Sequence, residues 1–145
     1  MKHFTSTLLV LLFAVAGMAQ KGPIIEFEAK DNTIDYGEVS KETDNGIRTF
    51  VFTNTGDQPL IITNVKSTCG CTVPTKPTDP ILPGKSDKIQ VKYNMNPGPI
   101  RKTITVESNA VNYEGGIIAL KIKGEVIPPK PQQSVLEKKK SMLEK

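Results

Sequence analysis

Two cysteines stand one residue apart in NVKSTCGCTVPT (residues 64–75), and the chain has no others. In an extended strand residues two apart point the same way, so Cys69, Cys71 and Val73 would share a face. Their Cα atoms would then lie about 6.6 Å apart, whereas bridged cysteines favour about 5.5–6 Å with Cβ atoms near 3.8 Å. A Cys69–Cys71 bond therefore needs a bend at Gly70, the residue type best able to supply one. A bridge formed that way is strained and easily reduced. Four chemistries fit the spacing: thiols packed as small apolar groups at the start of a short strand, a bent and redox-active bridge, a soft-metal site for Cu(I), or pairing with cysteines of a partner chain. Copper would want further soft ligands, and Met95 is the only methionine between the leader and the tail. Cys69 and Cys71 are thus candidate redox or metal residues, with the metal unknown.

Other chemistry is mostly excluded by composition. The single histidine, His3, lies in the leader, so the chain that follows has no imidazole for nucleophile activation or acid–base work and none for zinc. No Gly-rich phosphate loop is present. Paired carboxylates remain: Glu26 and Glu28 share a strand face, and Asp31 and Asp35 follow. A glycosidase needs two carboxylates about 5–9.5 Å apart, one with a raised pKa, in a sugar-sized cleft. Glu26 and Glu28 alternate with Ile25 and Phe27, which is how the wet side of a strand reads. No enzyme, no catalytic residue and no cofactor are expected.

The elements that would position these residues are short strands. DKIQVKYNM sets Ile89, Val91 and Tyr93 against Lys88, Gln90 and Lys92, and IIALKIKGEVI sets Ile118, Leu120, Ile122 and Val126 against Lys121, Lys123 and Glu125. That is the period of a half-buried strand. IRKTITVES turns Ile104 and Val106 inward, with Lys102 of the same parity expected near a strand end. RTFVFTN (Phe50, Phe52), PLIITNV (Leu60, Ile62), IIEFE and TIDYG complete the set. NTGDQP, LPGKSD, NPGP and YEGG are turn clusters between the runs. Seven or eight antiparallel strands make an all-β, immunoglobulin-like β-sandwich over residues 20–127. Residues 128–145 hold the spacer PPKPQQ and a basic tail whose Ser134 and Glu137 stand in capping-box spacing, so the tail carries a helix signal of marginal length.

Residues 1–19, MKHFTSTLLVLLFAVAGMA, have the charged start, short apolar run and small-residue end of a signal peptide cleaved near Ala19. The run is well short of the roughly 20 residues a bilayer span needs. An exported protein, periplasmic or extracellular, is expected, with no transmembrane segment in the mature chain. No cysteine beside the cleavage site offers a lipid attachment point. Residues 20–129 carry 13 Lys and Arg against 13 Asp and Glu, whereas residues 130–145 carry five Lys against two Glu. A neutral domain without aromatic platforms argues against nucleic acid. The tail could make weak electrostatic contact with an anionic surface, worth about 1 kcal/mol per lysine.

FTNTGDQPLIITNVKSTCGCTVP, PILPGKSDKIQVKYN, KTITVESNA and LKIKGEV together resemble the bacterial domain-of-unknown-function 1573 family from about Ile34 to Val126. The most specific blocks are Asn54-Thr55-Gly56 with Pro59-Leu60, Cys69-Gly70-Cys71-Thr72, and Pro83-Gly84. The resemblance implies an immunoglobulin-like sandwich of the major-sperm-protein and pilus-chaperone type, usually exported, and implies no activity. It adds weight to a role for Cys69 and Cys71 without naming one. The leading expectation is a non-catalytic envelope module that binds an unidentified protein or polymer, for instance by strand addition at a free edge. The rival is a thiol–disulfide or Cu(I)-handling protein. A purely structural spacer is the third possibility.

Overall fold

A computed structural model describes residues 21–130. The leader and the tail helix signal lie outside the described residues. Eight strands follow in chain order: β1 (Ile25–Phe27), β2 (Thr33–Val39), β3 (Ile47–Asn54), β4 (Ile62–Ser67), β5 (Thr72–Thr75), β6 (Ser86–Tyr93), β7 (Gly98–Ser108) and β8 (Ile117–Val126). Two single 3-10 turns, Lys30–Asn32 and Glu114–Gly116, precede β2 and β8. The strands form two four-stranded sheets, in the orders β1-β3-β6-β5 and β2-β8-β7-β4. The expected all-β sandwich is therefore present.

Alternation along each strand builds the core. Ile89, Val91 and Tyr93 of β6 are buried, as are Ile118, Leu120, Ile122 and Val126 of β8, while the residues between them face out or border the edge. Phe50 and Phe52 of β3 are fully enclosed, and Phe27 packs on both at ring distances of 6.4 and 5.5 Å. At the other end of the sandwich Tyr36 lies beneath the Arg48 guanidinium, 4.0 Å from the ring centroid. Its hydroxyl donates to Gly46 O at 2.9 Å. Burial pushes the Tyr36 hydroxyl pKa up to about 12. Arg48 also donates to both carboxylate oxygens of Asp44, at 2.6 and 3.1 Å, and that bond holds the Asp44 carboxyl below its ordinary range.

Three details differ from the sequence reading. β2 pairs with β8 in parallel, so the sandwich is not wholly antiparallel. Some eighty residues separate the two strands, so no hairpin dictates their relative direction. NPGP does not end before a strand, because β7 already starts at Gly98 and Pro99 pairs with Glu125. Pro fits there because β4 covers β7 only from Ile104 on, leaving that flank without a second ladder to supply. Lys102 consequently sits inside an eleven-residue strand, opposite Ile122, rather than near an end. It is half-buried, and its ammonium is not enclosed. A lysine at such a position keeps its apolar stem on the sheet and its charge in water.

Candidate functional site

The Cys-Gly-Cys turn is the crossover between the sheets. β4 leaves its partner after Thr68, whose N–H donates to Thr103 O at 3.3 Å. Thr72 N then donates to Cys69 O at 3.4 Å, closing a turn around Gly70 and Cys71, and Thr72 opens β5 opposite Tyr93. Asn94 N holds Cys71 O at 3.0 Å. Inside this turn Cys69 and Cys71 are joined in a disulfide, with Cα atoms 5.3 Å apart. The chain is bent away from the straight-strand spacing, as any bridge at this separation requires. Both cysteines precede β5 and are joined to each other, so the reading of both as free thiols at a strand start does not describe this state. A bridged pair also offers no thiolate to copper.

The two sulfurs have different surroundings. Both cysteines are half-buried, but Cys71 packs against the core cluster and its Sγ lies 3.9 Å from Thr72 Oγ1. Cys69 is not among the residues packed on that cluster, and its N–H donates to Ser67 Oγ at 3.3 Å. Gly70 is exposed, a Cβ built on it would meet nothing within 4 Å, and its φ lies outside the left-handed region.

The carboxylates form no site. Glu26, Glu28 and Asp31 are exposed on and after β1. Asp35 accepts from Gly37 N at 2.8 Å and pairs with Lys123 at 3.4 Å. Those donors, the Gly37 N–H foremost, hold its carboxyl below the ordinary range. A general acid needs the opposite shift. Among the described residues no group of three His, Cys, Asp or Glu is placed to hold a metal ion.

Sequence reasoning missed two arrangements. On the outer face of the β2-β8-β7-β4 sheet, Arg101 pairs across strands with Lys123, and Thr103 with Lys121. Together with Thr33, Lys102 and Ile122 they line a depression of about 440 Å³. Lys123 is partnered by Asp35, whereas Arg101 and Lys121 have no carboxylate partner among the described residues. Within one strand each cation reads as a solvated residue; only the register sets them side by side.

The other arrangement is the knot at Asn54, a fully buried polar residue. Its side-chain oxygen accepts from Ile24 N at 3.3 Å and Gly56 N at 3.0 Å, and its amide nitrogen donates to Gln58 O and Ile81 O, both at 2.8 Å. Its backbone N–H donates to Lys85 O and its carbonyl accepts from Gly84 N. A Cβ on Gly56 would overlap Gly22 O and crowd Ile24 N. The NTG signal was visible in the sequence as a turn, but its burial was not.

Solved structures similar to this chain agree on the fold. A protein of unknown function from Porphyromonas gingivalis W83 superposes with a TM-score of 0.61 at 19% identity, over 77% of this chain and 50% of that one. PapD-like domain 7 of human CEP192 gives 0.55 at 9% identity, over 73% and 87%. The secreted serine protease VesC from Vibrio cholerae gives 0.53 at 16% identity, over 78% of this chain and 25% of that one. The chain thus spans half the length of the first of these proteins and a quarter of the protease. At such identities the likeness is one of fold alone, that of a β-sandwich. Among curated proteins, no sequence matches the chain. No helix among the described residues is long and apolar enough to cross a membrane. Residues 26–126, which hold Asn54, the Cys-Gly-Cys turn and every strand but the first residue of β1, match one family throughout, and the chain belongs to it: the family described as protein of unknown function (DUF1573).

Proposed function

We propose that the protein is an exported, non-catalytic binding module that docks an anionic polymer of the bacterial envelope on the outer face of the β2-β8-β7-β4 sheet. The carrying observation is the depression between β7 and β8, where Arg101 and Lys121 stand, among the described residues, without carboxylate partners beside Lys123. Unneutralised cations on a rigid sheet attract an anionic chain without having to be ordered on binding. The signal-peptide pattern of residues 1–19 supports export.

Strand addition fits less well, because three of the four edges are guarded. The Asn112 amide bonds both N–H and C=O of Ile25 in β1, at 3.1 and 2.9 Å. Lys76 Nζ occupies Ile62 O of β4 at 3.2 Å. β5 has only four residues and includes Pro74. Such devices discourage edge pairing.

The test is retention of the mature chain on immobilised alginate over a salt gradient. Arg101→Ala with Lys121→Ala should weaken binding by about tenfold or more, at about 1 kcal/mol per cation. Removal of residues 130–145 should cost less. No binding by the intact chain, or binding lost only with the tail, would refute the assignment.

A further inference from the structure

The Cys69–Cys71 bridge is placed for chemistry that the basic face does not use. It closes a loop of three residues, from Cys69 to Cys71, so it removes little freedom from the unfolded chain. Gly70 between the two cysteines is exposed, has open space where a side chain would stand, and needs no left-handed φ. The fold therefore does not demand glycine there. The two sulfurs are also unequal. Cys71 is anchored by its core packing, by Asn94 N on its carbonyl and by Thr72, which is buried opposite Tyr93. Cys69 is not among the residues packed on that core.

We infer that this bridge is a thiol–disulfide exchange site that accepts two electrons from a protein dithiol, with Cys69 as the sulfur attacked and Cys71 as the leaving sulfur. A partner thiolate attacks Cys69 Sγ, the sulfur of the cysteine that is not packed on the core. The Cys69–Cys71 bond breaks, a mixed disulfide forms on Cys69, and the electron pair leaves on Cys71 Sγ. The Thr72 hydroxyl, 3.9 Å away, is the donor nearest to that developing thiolate among the contacts described, and a donor there eases departure. The partner's second thiolate then attacks its own sulfur in the mixed disulfide. Cys69 leaves as a thiolate, the partner departs oxidised, and both cysteines take up protons from water. Attack in the other order would require entry on the side packed against the core.

The experiment uses the intact mature protein and reduced glutathione as the monothiol probe, under native conditions. Samples are quenched in acid, free thiols are alkylated, and peptides spanning residues 64–75 are mapped by mass spectrometry. The expected result is glutathione on Cys69 and alkylation on Cys71, with reduction proceeding at the same rate below the unfolding range of urea. A Gly70→Val variant, shown by its thermal midpoint to be folded, should exchange several-fold more slowly. Glutathione found mainly on Cys71 would overturn the assignment of roles. A bridge that resists glutathione until the domain unfolds, or cysteines that emerge free from the native exported protein, would overturn the site itself. Alginate binding need not change in any of these outcomes, so the two proposals fail separately.

Discussion

Around Asn54, six hydrogen bonds tie together Ile24, Gly56, Gln58, Ile81, Gly84 and Lys85, all converging on one buried residue. Around Cys69 and Cys71 the chain makes a single open turn, half exposed, in which the central glycine touches nothing with the side it leaves bare. Both regions supply blocks through which the sequence resembles its family. Two of those blocks, Asn54-Thr55-Gly56 and Pro83-Gly84, meet each other through the bond from Gly84 N to Asn54 O. The cysteine block stands apart. The contrast separates residues that the fold needs from residues that the fold merely carries, and it locates the chemistry in the second kind.

That contrast can be broken at four points. Asn54→Ala strips four side-chain bonds from a buried site and leaves two N–H donors and two carbonyls without their partner, so it should cost about 3–5 kcal/mol in urea unfolding. A loss below about 1 kcal/mol would mean the knot is dispensable. Gly56→Ala forces the Gly22–Ile24 backbone to move and should cost about 3 kcal/mol, read the same way. Opening the bridge in Cys69→Ser with Cys71→Ser should cost no more than about 1.5 kcal/mol, the chain-entropy value for so short a loop. A larger loss would make the bridge a structural element after all. Gly70→Ala should shift stability by less than about 0.5 kcal/mol, since neither space nor φ opposes a methyl group.

Much of the fold could be read from the chain. The period-two runs in β6 and β8 name their own buried residues, because side chains on a strand switch faces at every position. β2 was visible only as the fragment TIDYG, since its register against β8 shifts between Asp35 and Glu38. Lys102 was misplaced for a related reason: parity says which way a residue points and nothing about where a strand begins. Of the candidate site, the two cysteines and their spacing were legible, together with the need for a bend. Their bridge, and the packing of Cys71 but not Cys69 on the core, were not, because the turn is shaped by contacts that Tyr93 and Asn94 bring from more than twenty residues away.

The chain alone determined an all-β body without imidazole, a neutral domain with a basic tail, and a pair of sulfurs one residue apart, since composition and alternation are local properties. Tertiary structure decided which cations share a face, which asparagine is a buried hub and which cysteine packs on the core. Those outcomes follow from register and sheet order, which bring together residues whose separation in the chain carries no information about their contact.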